Sequence, residues 1–166
     1  MEKYIKMAKE MGAKNAVAFA ISDIAFDPRV VLKCIFGCSD FGQLHTCPYQ
    51  RSPLSMKEYQ DIFAHYKRGI LIGCEDKPSS QTISYKIEQE CFLDGYYLCF
   101  SLSDCGLCNN CAKGKESPCI FPDRARPAMQ AVGIDVFKTA HNLSLPIEVL
   151  RHKDQPQNWY SAVFVE

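Results

Sequence analysis

Two groups of cysteines hold the chemistry that this chain's residue types and spacing support. The first is Cys34, Cys38 and Cys47, spaced C-x3-C-x8-C, with Pro48 directly after the third sulfur. The second is Cys105, Cys108, Cys111 and Cys119, spaced C-x2-C-x2-C-x7-C. Cysteines two residues apart in a tight turn direct successive sulfurs at one centre, while backbone N–H groups point the same way. Four thiolates between Cys105 and Cys119 would repel one another strongly, so a cation is needed to hold them in the charged form.

Two metals fit the second group. Zinc takes four thiolates, usually from two C-x2-C knuckles set apart by a longer spacer. Three cysteines at successive x2 intervals suit the corner of a [4Fe–4S] cubane better. In the common bacterial run the fourth cysteine follows after x3 and ligates another cluster. Here the x7 spacer lets Cys119 complete the same site. Iron–sulfur is the favoured reading and zinc the alternative.

The first group offers three thiolates and a Cys-Pro step that ends its loop rigidly. A fourth ligand has to come from His45, Cys74, Cys91, Cys99 or an external molecule. A site with three protein ligands keeps one position open, which is where catalytic metals meet substrate. The alternative is a fourth ligand distant in sequence. Cys74, Cys91 and Cys99 fall on apolar strand and helix patterns and read as small buried hydrophobes. His65, His141 and His152 lie outside any motif.

Composition narrows the context. Ten cysteines raise the possibility of disulfides, which need an oxidising compartment. The N-terminus, Met1 to Lys6, has no apolar leader pattern, so the expectation is a cytoplasmic chain with reduced thiols. No stretch approaches the ~20 apolar residues of a membrane span. Nineteen basic residues balance nineteen acidic ones, which gives no global electrostatic case for nucleic acid or an anionic membrane. A hydrophobic content of 47% over 166 residues suits one domain, 1–166, with a real core. Neither G-x-G-x-x-G nor G-x4-G-K-[ST] occurs, so no nucleotide site is expected. No Ser/His/Asp constellation assigns catalytic residues.

The elements that position the cysteines follow from periodicity and caps. Tyr4, Ile5, Ala8 and Met11 recur at helical spacing before Gly12. Residues 15–21 read as a strand. Asp27-Pro28 starts a helix that delivers Cys34 and Cys38 near its end. Glycines and prolines make residues 37–53 a loop. Ser55 and Glu58 form a capping box for a helix that buries Tyr59, Ile62 and Phe63. Ile70 to Ile72 mark a buried strand. A helix from Ser79 or Ser80 carries Ile83, Ile87 and Cys91 on one stripe, with Phe92 beside it, and ends at Gly95. Residues 96–102 alternate as a strand. Asp123 caps a helix through Met129, and Asp135 another through Ala140. Residues 147–150 and 159–165 read as the last strands. The class is α+β or α/β: a mixed sheet of about five strands flanked by helices, with two cysteine-rich metal-binding loops.

The whole pattern resembles a known family. Three cysteines end in Cys47-Pro48. Ile87-Glu88 and Phe92 run into Gly95-Tyr96-Tyr97. Then come Cys105, Cys108, Cys111, Cys119, Pro122, Arg126-Pro127-Ala128-Met129 and Gly133-Ile134-Asp135-Val136. This resembles DUF2284, a family of predicted metal-binding proteins found mainly in anaerobic bacteria and archaea. The resemblance covers nearly the whole chain and is most specific in its second half. It implies metal binding without an established reaction, and it identifies the seven cysteines of the two groups as the motif residues. Cys74, Cys91 and Cys99 fall outside the motif. One departure is Tyr49, where the family pattern has Cys-Pro-Pro.

Three functions follow as expectations. One is an iron–sulfur protein with one or two [4Fe–4S] clusters, acting in electron transfer or redox support with a redox partner protein. Another is an enzyme with an open-site cluster at Cys34, Cys38 and Cys47. The third is a zinc-stabilised binding module without redox chemistry.

Overall fold

Residues 70–72 alternate sides: Ile70 and Ile72 join one buried cluster and Leu71 another. A strand covered on both faces must sit inside a sheet with a layer on each side. The computed structural model describes residues 1–51, 54–114, 117–152 and 154–166, and has this architecture. Its helices are α1 (Glu2–Glu10), α2 (Val30–Gly37), α3 (Pro48–Arg51), α4 (Met56–Phe63), α5 (Lys77–Leu93) and α6 (Val136–Asn142). Its strands are β1 (Asn15–Ala20), β2 (Arg68–Cys74), β3 (Phe100–Leu102) and β4 (Trp159–Phe164). The sheet order is β1-β2-β4-β3, and every pairing is antiparallel. The C-terminal strand therefore lies between β2 and β3, with Leu71 opposite Ala162 and Leu102 opposite Ala162 on its other side.

One face packs against α1 and α5. Tyr4 and Ala8 of α1 meet Ala16, Ile70, Ile72 and Val163 of the sheet and Ile83, Ile87 and Cys91 of α5. The other face carries Phe19, Leu71, Ala162 and Phe164 against Phe63, Met129, Val132, Ile134 and Ala140. The fold is thus α+β, with an antiparallel rather than a mixed sheet.

Most expected elements are present. Ser55 accepts from Glu58 N, and Glu58 accepts from Ser55 N, completing the capping box. Asp135 accepts from Lys138 N and caps α6. Gly95, at φ +100°, follows the end of α5.

Several expectations are corrected. Among the described residues the sheet has four strands, not five: residues 147–150 are irregular, and 96–99 form turns before a three-residue β3. Tyr96 N bonds back to Cys91 O and Cys99 N to Tyr96 O, so the chain folds over the end of α5 before pairing begins. The helix expected from Asp123 is absent; a short 3₁₀ turn spans Met129–Val132 instead. Asp27 binds Arg29 N and its side chain ahead of α2 rather than capping it. Asp76, not Ser79 or Ser80, caps α5, because it accepts both Ser79 N and Ser79 Oγ. Ile62 and Phe92 are exposed, and Tyr59 only partly buried. Residues 37–51 include α3, and Pro53 lies outside the described residues. No helix among the described residues is long and apolar enough to cross a membrane.

Candidate metal centre

Cys34 sits in the last turn of α2, and Cys38 is the residue that terminates the helix. Phe26 pairs with Ile134, Asp27 N donates to Gly133 O, and Asp135 N donates to Ala25 O. These bonds fix the entry to α2, which packs on the 129–132 turn. The chain then turns repeatedly, with Phe41 N to Cys38 O and Cys47 N to Leu44 O, returning Cys47 towards Cys34. Gly42, at φ +68°, lies in the left-handed region that favours glycine. From there its N–H donates to Cys47 Sγ at 3.3 Å. An N–H aimed at sulfur stabilises a thiolate.

Cys38, Cys47 and Asp104 each lie within electrostatic reach of Cys34. Burial, then these neighbouring negative groups, push the Cys34 thiol up. Tyr49 packs against Phe41 with ring centres 4.9 Å apart and ring planes tilted by 39°. Burial beside Cys34 and Cys47 raises its hydroxyl to about 12. The departure from Cys-Pro-Pro thus places an aromatic residue near Cys34 and Cys47.

The second group follows β3 and Asp104 in irregular chain. Gln81, buried on α5, secures both ends of this segment: Gly106 N donates to its Oε1, and its Nε2 donates to Arg124 O at 3.2 Å. Gly106 passes so close to the start of α5 that a Cβ there would stand 2.9 Å from Pro78 N. The positive end of a 17-residue helix therefore lies beside the first cysteines of the group. Cys105, Cys108, Cys111 and Cys119 all line one cavity of about 330 Å³. Burial, then its three partner thiols, raise Cys111.

The two groups face each other. Asp40, Leu44, His45 and Thr46, from the segment between Cys38 and Cys47, form a wall of the second group's cavity. Lys113 Nζ donates to Asp40 at 2.6 Å, and Gly114 N donates to Gln43 O at 3.0 Å. The Lys113 ammonium lies within reach of both Cys111 and Cys38.

His45, a candidate fourth ligand for the first group, therefore lines the second group's cavity. Cys74, Cys91 and Cys99 lie in the core beneath α1 and α5, and burial raises them to about 11, 12 and 11. Asp104, near Cys34, was not singled out from sequence; its only signal was its place between a strand and Cys105. Burial raises its carboxyl, and Gln130 Nε2 donates to it.

All ten cysteines are free of disulfides. Among the described residues, no three Cys, His, Asp or Glu side chains already stand at metal-bonding separation. The donor set nonetheless fits a thiolate-bound metal: four cysteines share one cavity, three more gather beside it, and an N–H and an ammonium face their sulfurs.

A family model described as "Predicted metal-binding protein (DUF2284)" matches residues 18–165. Compared with curated proteins and with solved structures, the chain matches none.

Proposed function

The chain belongs to the DUF2284 family of predicted metal-binding proteins, and from that premise we propose that it is an iron–sulfur protein acting in redox support. The observation that carries this reading is the shared cavity of Cys105, Cys108, Cys111 and Cys119. Structural zinc usually takes its four thiolates from two C-x2-C knuckles set apart by a longer spacer. Three cysteines at successive x2 intervals suit a cubane better than two separated zinc knuckles, and Cys119 lines the same cavity. A [4Fe–4S] cluster bound there supplies one-electron transfer.

The chain's own residues supply the rest. Gln81 holds both ends of the second segment on α5, and the helix's positive end favours negative charge beside Cys105. Cys34, Cys38 and Cys47 hold a second centre, with the Gly42 N–H on Cys47. Lys113 offsets charge between the centres and ties their loops together. Cys38 and Cys111 are the exposed cysteines of the two groups, so a redox partner protein docks at their side.

Anaerobic purification followed by visible absorption, iron and sulfide analysis tests the reading. The expected result is a brown protein with more than about four irons per chain and matching sulfide. Stoichiometric zinc without iron would replace it with the zinc-stabilised module.

A further inference from the structure

A second, larger cavity of about 690 Å³ lies beside the first cysteine group, within the range of small-molecule sites. Its wall includes Val30 and Lys33 of α2. Val30 is four residues before Cys34, so the two share a helix face. Ile134, Ile147 and Trp159 provide apolar surface, and Asp104 with Gln130 supplies a polar end. The segment after α6 closes the far side, held by Tyr160 Oη donating to Pro146 O at 2.7 Å.

The polar end selects its ligand. Gln130 Nε2 reaches Asp104 Oδ1 at 3.1 Å and Oδ2 at 3.4 Å. A carboxylate has about four acceptor sites, so Asp104 can accept further bonds. Among the described residues, the acidic groups on the wall are Asp104, Asp135 and Glu148, against the cation Lys33. Asp135 is engaged at the start of α6, and Lys77 lies within electrostatic reach of Asp104 from α5. The balance still opposes an anionic head and favours one that donates hydrogen bonds.

We propose that this cavity binds a small organic molecule with an apolar, ring-sized body and an amine head that meets Asp104. The site stands on the cavity's shape and charge and holds whichever metal the cysteines take.

Trp159 is the chain's only tryptophan and lines the cavity, so its fluorescence reads occupancy directly. The anaerobically purified protein is titrated with phenethylamine and, separately, with 3-phenylpropionate, which has a similar body and a carboxylate head. Phenethylamine should give a saturable change and bind at least about tenfold more tightly than 3-phenylpropionate. Asp104→Asn should reduce that preference to about threefold or less, and Ile147→Phe should weaken both ligands by narrowing the cavity. Iron content is measured on every sample, so loss of metal and loss of ligand binding are read separately. No saturable change with phenethylamine, or equal affinity for the two compounds in the unmodified protein, overturns the proposal.

Discussion

Arg126 grips Glu88 with two nitrogens: Nη2 lies 2.5 Å from Oε1, and Nε 2.9 Å from Oε2. Both side chains are largely buried. The guanidinium lies between the rings of Tyr85 and Phe100, at 5.2 and 5.3 Å, and also donates to Asp123 O and Ala125 O. Glu88 in turn accepts from Ser101 N at 2.7 Å and from Ser101 Oγ. One ion pair thus joins α5, β3 and the chain that returns from Cys119.

Arg126→Met should therefore destabilise the fold by roughly 3 kcal/mol, because it strands the Glu88 carboxylate away from water. Arg126→Lys should recover little, since an ammonium cannot reproduce the two-nitrogen contact or the ring stacking. Arg126→Met combined with Glu88→Gln should be more stable than Arg126→Met alone. Urea denaturation of the three variants measures these differences.

Gln81 offers a sharper link between fold and site. Gln81→Leu keeps the side chain's bulk on α5 but releases both Gly106 and Arg124. Metal content and the rate of metal loss to a chelator should change with little effect on helix content. Supporting contacts of this kind are worth about 10- to 100-fold in metal affinity. Chelator-challenge kinetics followed by absorption would show it; an unchanged rate would mean that the cysteines hold the segment without Gln81.

What sequence made legible was local. The Ile83, Ile87 and Cys91 stripe, the Ser55 box and the Asp135 cap each depend on residues a turn or less apart, and each is found. The cysteine groups were legible because their spacing is itself the signal. The insertion of β4 between β2 and β3 was not, because a period-two pattern says which side a residue faces but not which strand it joins. Residues 147–150 are apolar enough for a strand, yet Ile147 lines a cavity and Val149 and Leu150 are exposed. The Lys113–Asp40 bond and the approach of Asp104 to Cys34 join residues some 70 positions apart, beyond the reach of any spacing rule.

Acid should weaken the tie between α1 and the end of α5. Lys3 Nζ and Tyr4 Oη both donate to Asp94, and the Lys3 bond, then the Tyr4 bond, hold its carboxyl below the ordinary 3.8. A carboxyl held low stabilises the fold above its unfolded value and loses that contribution as pH falls through the folded value. Stability should thus decline below about pH 4, and Asp94→Asn should flatten that part of the profile. Thermal unfolding from pH 2 to 6 checks the slope; parallel profiles for both proteins would assign the acid sensitivity elsewhere.

The cysteines should divide into two classes by what their loss removes. Cys108 and Cys111 share a cavity with two further motif thiols. Replacing either with serine should abolish the second-group metal and lower stability with it, because thiolate–metal binding is coupled to folding. Cys91 is wholly buried among Tyr4, Ile87 and Val163, and burial raises its thiol to about 12. Such a thiol stays protonated at neutral pH and behaves as a small apolar side chain. Cys91→Ala should cost on the order of 1 kcal/mol and leave the metal in place. Metal analysis and urea denaturation run on the same samples separate the two effects. If Cys91→Ala removes as much metal as Cys108→Ser, the assignment of ligands to the two spaced groups is wrong, and the core beneath α1 becomes the place to look.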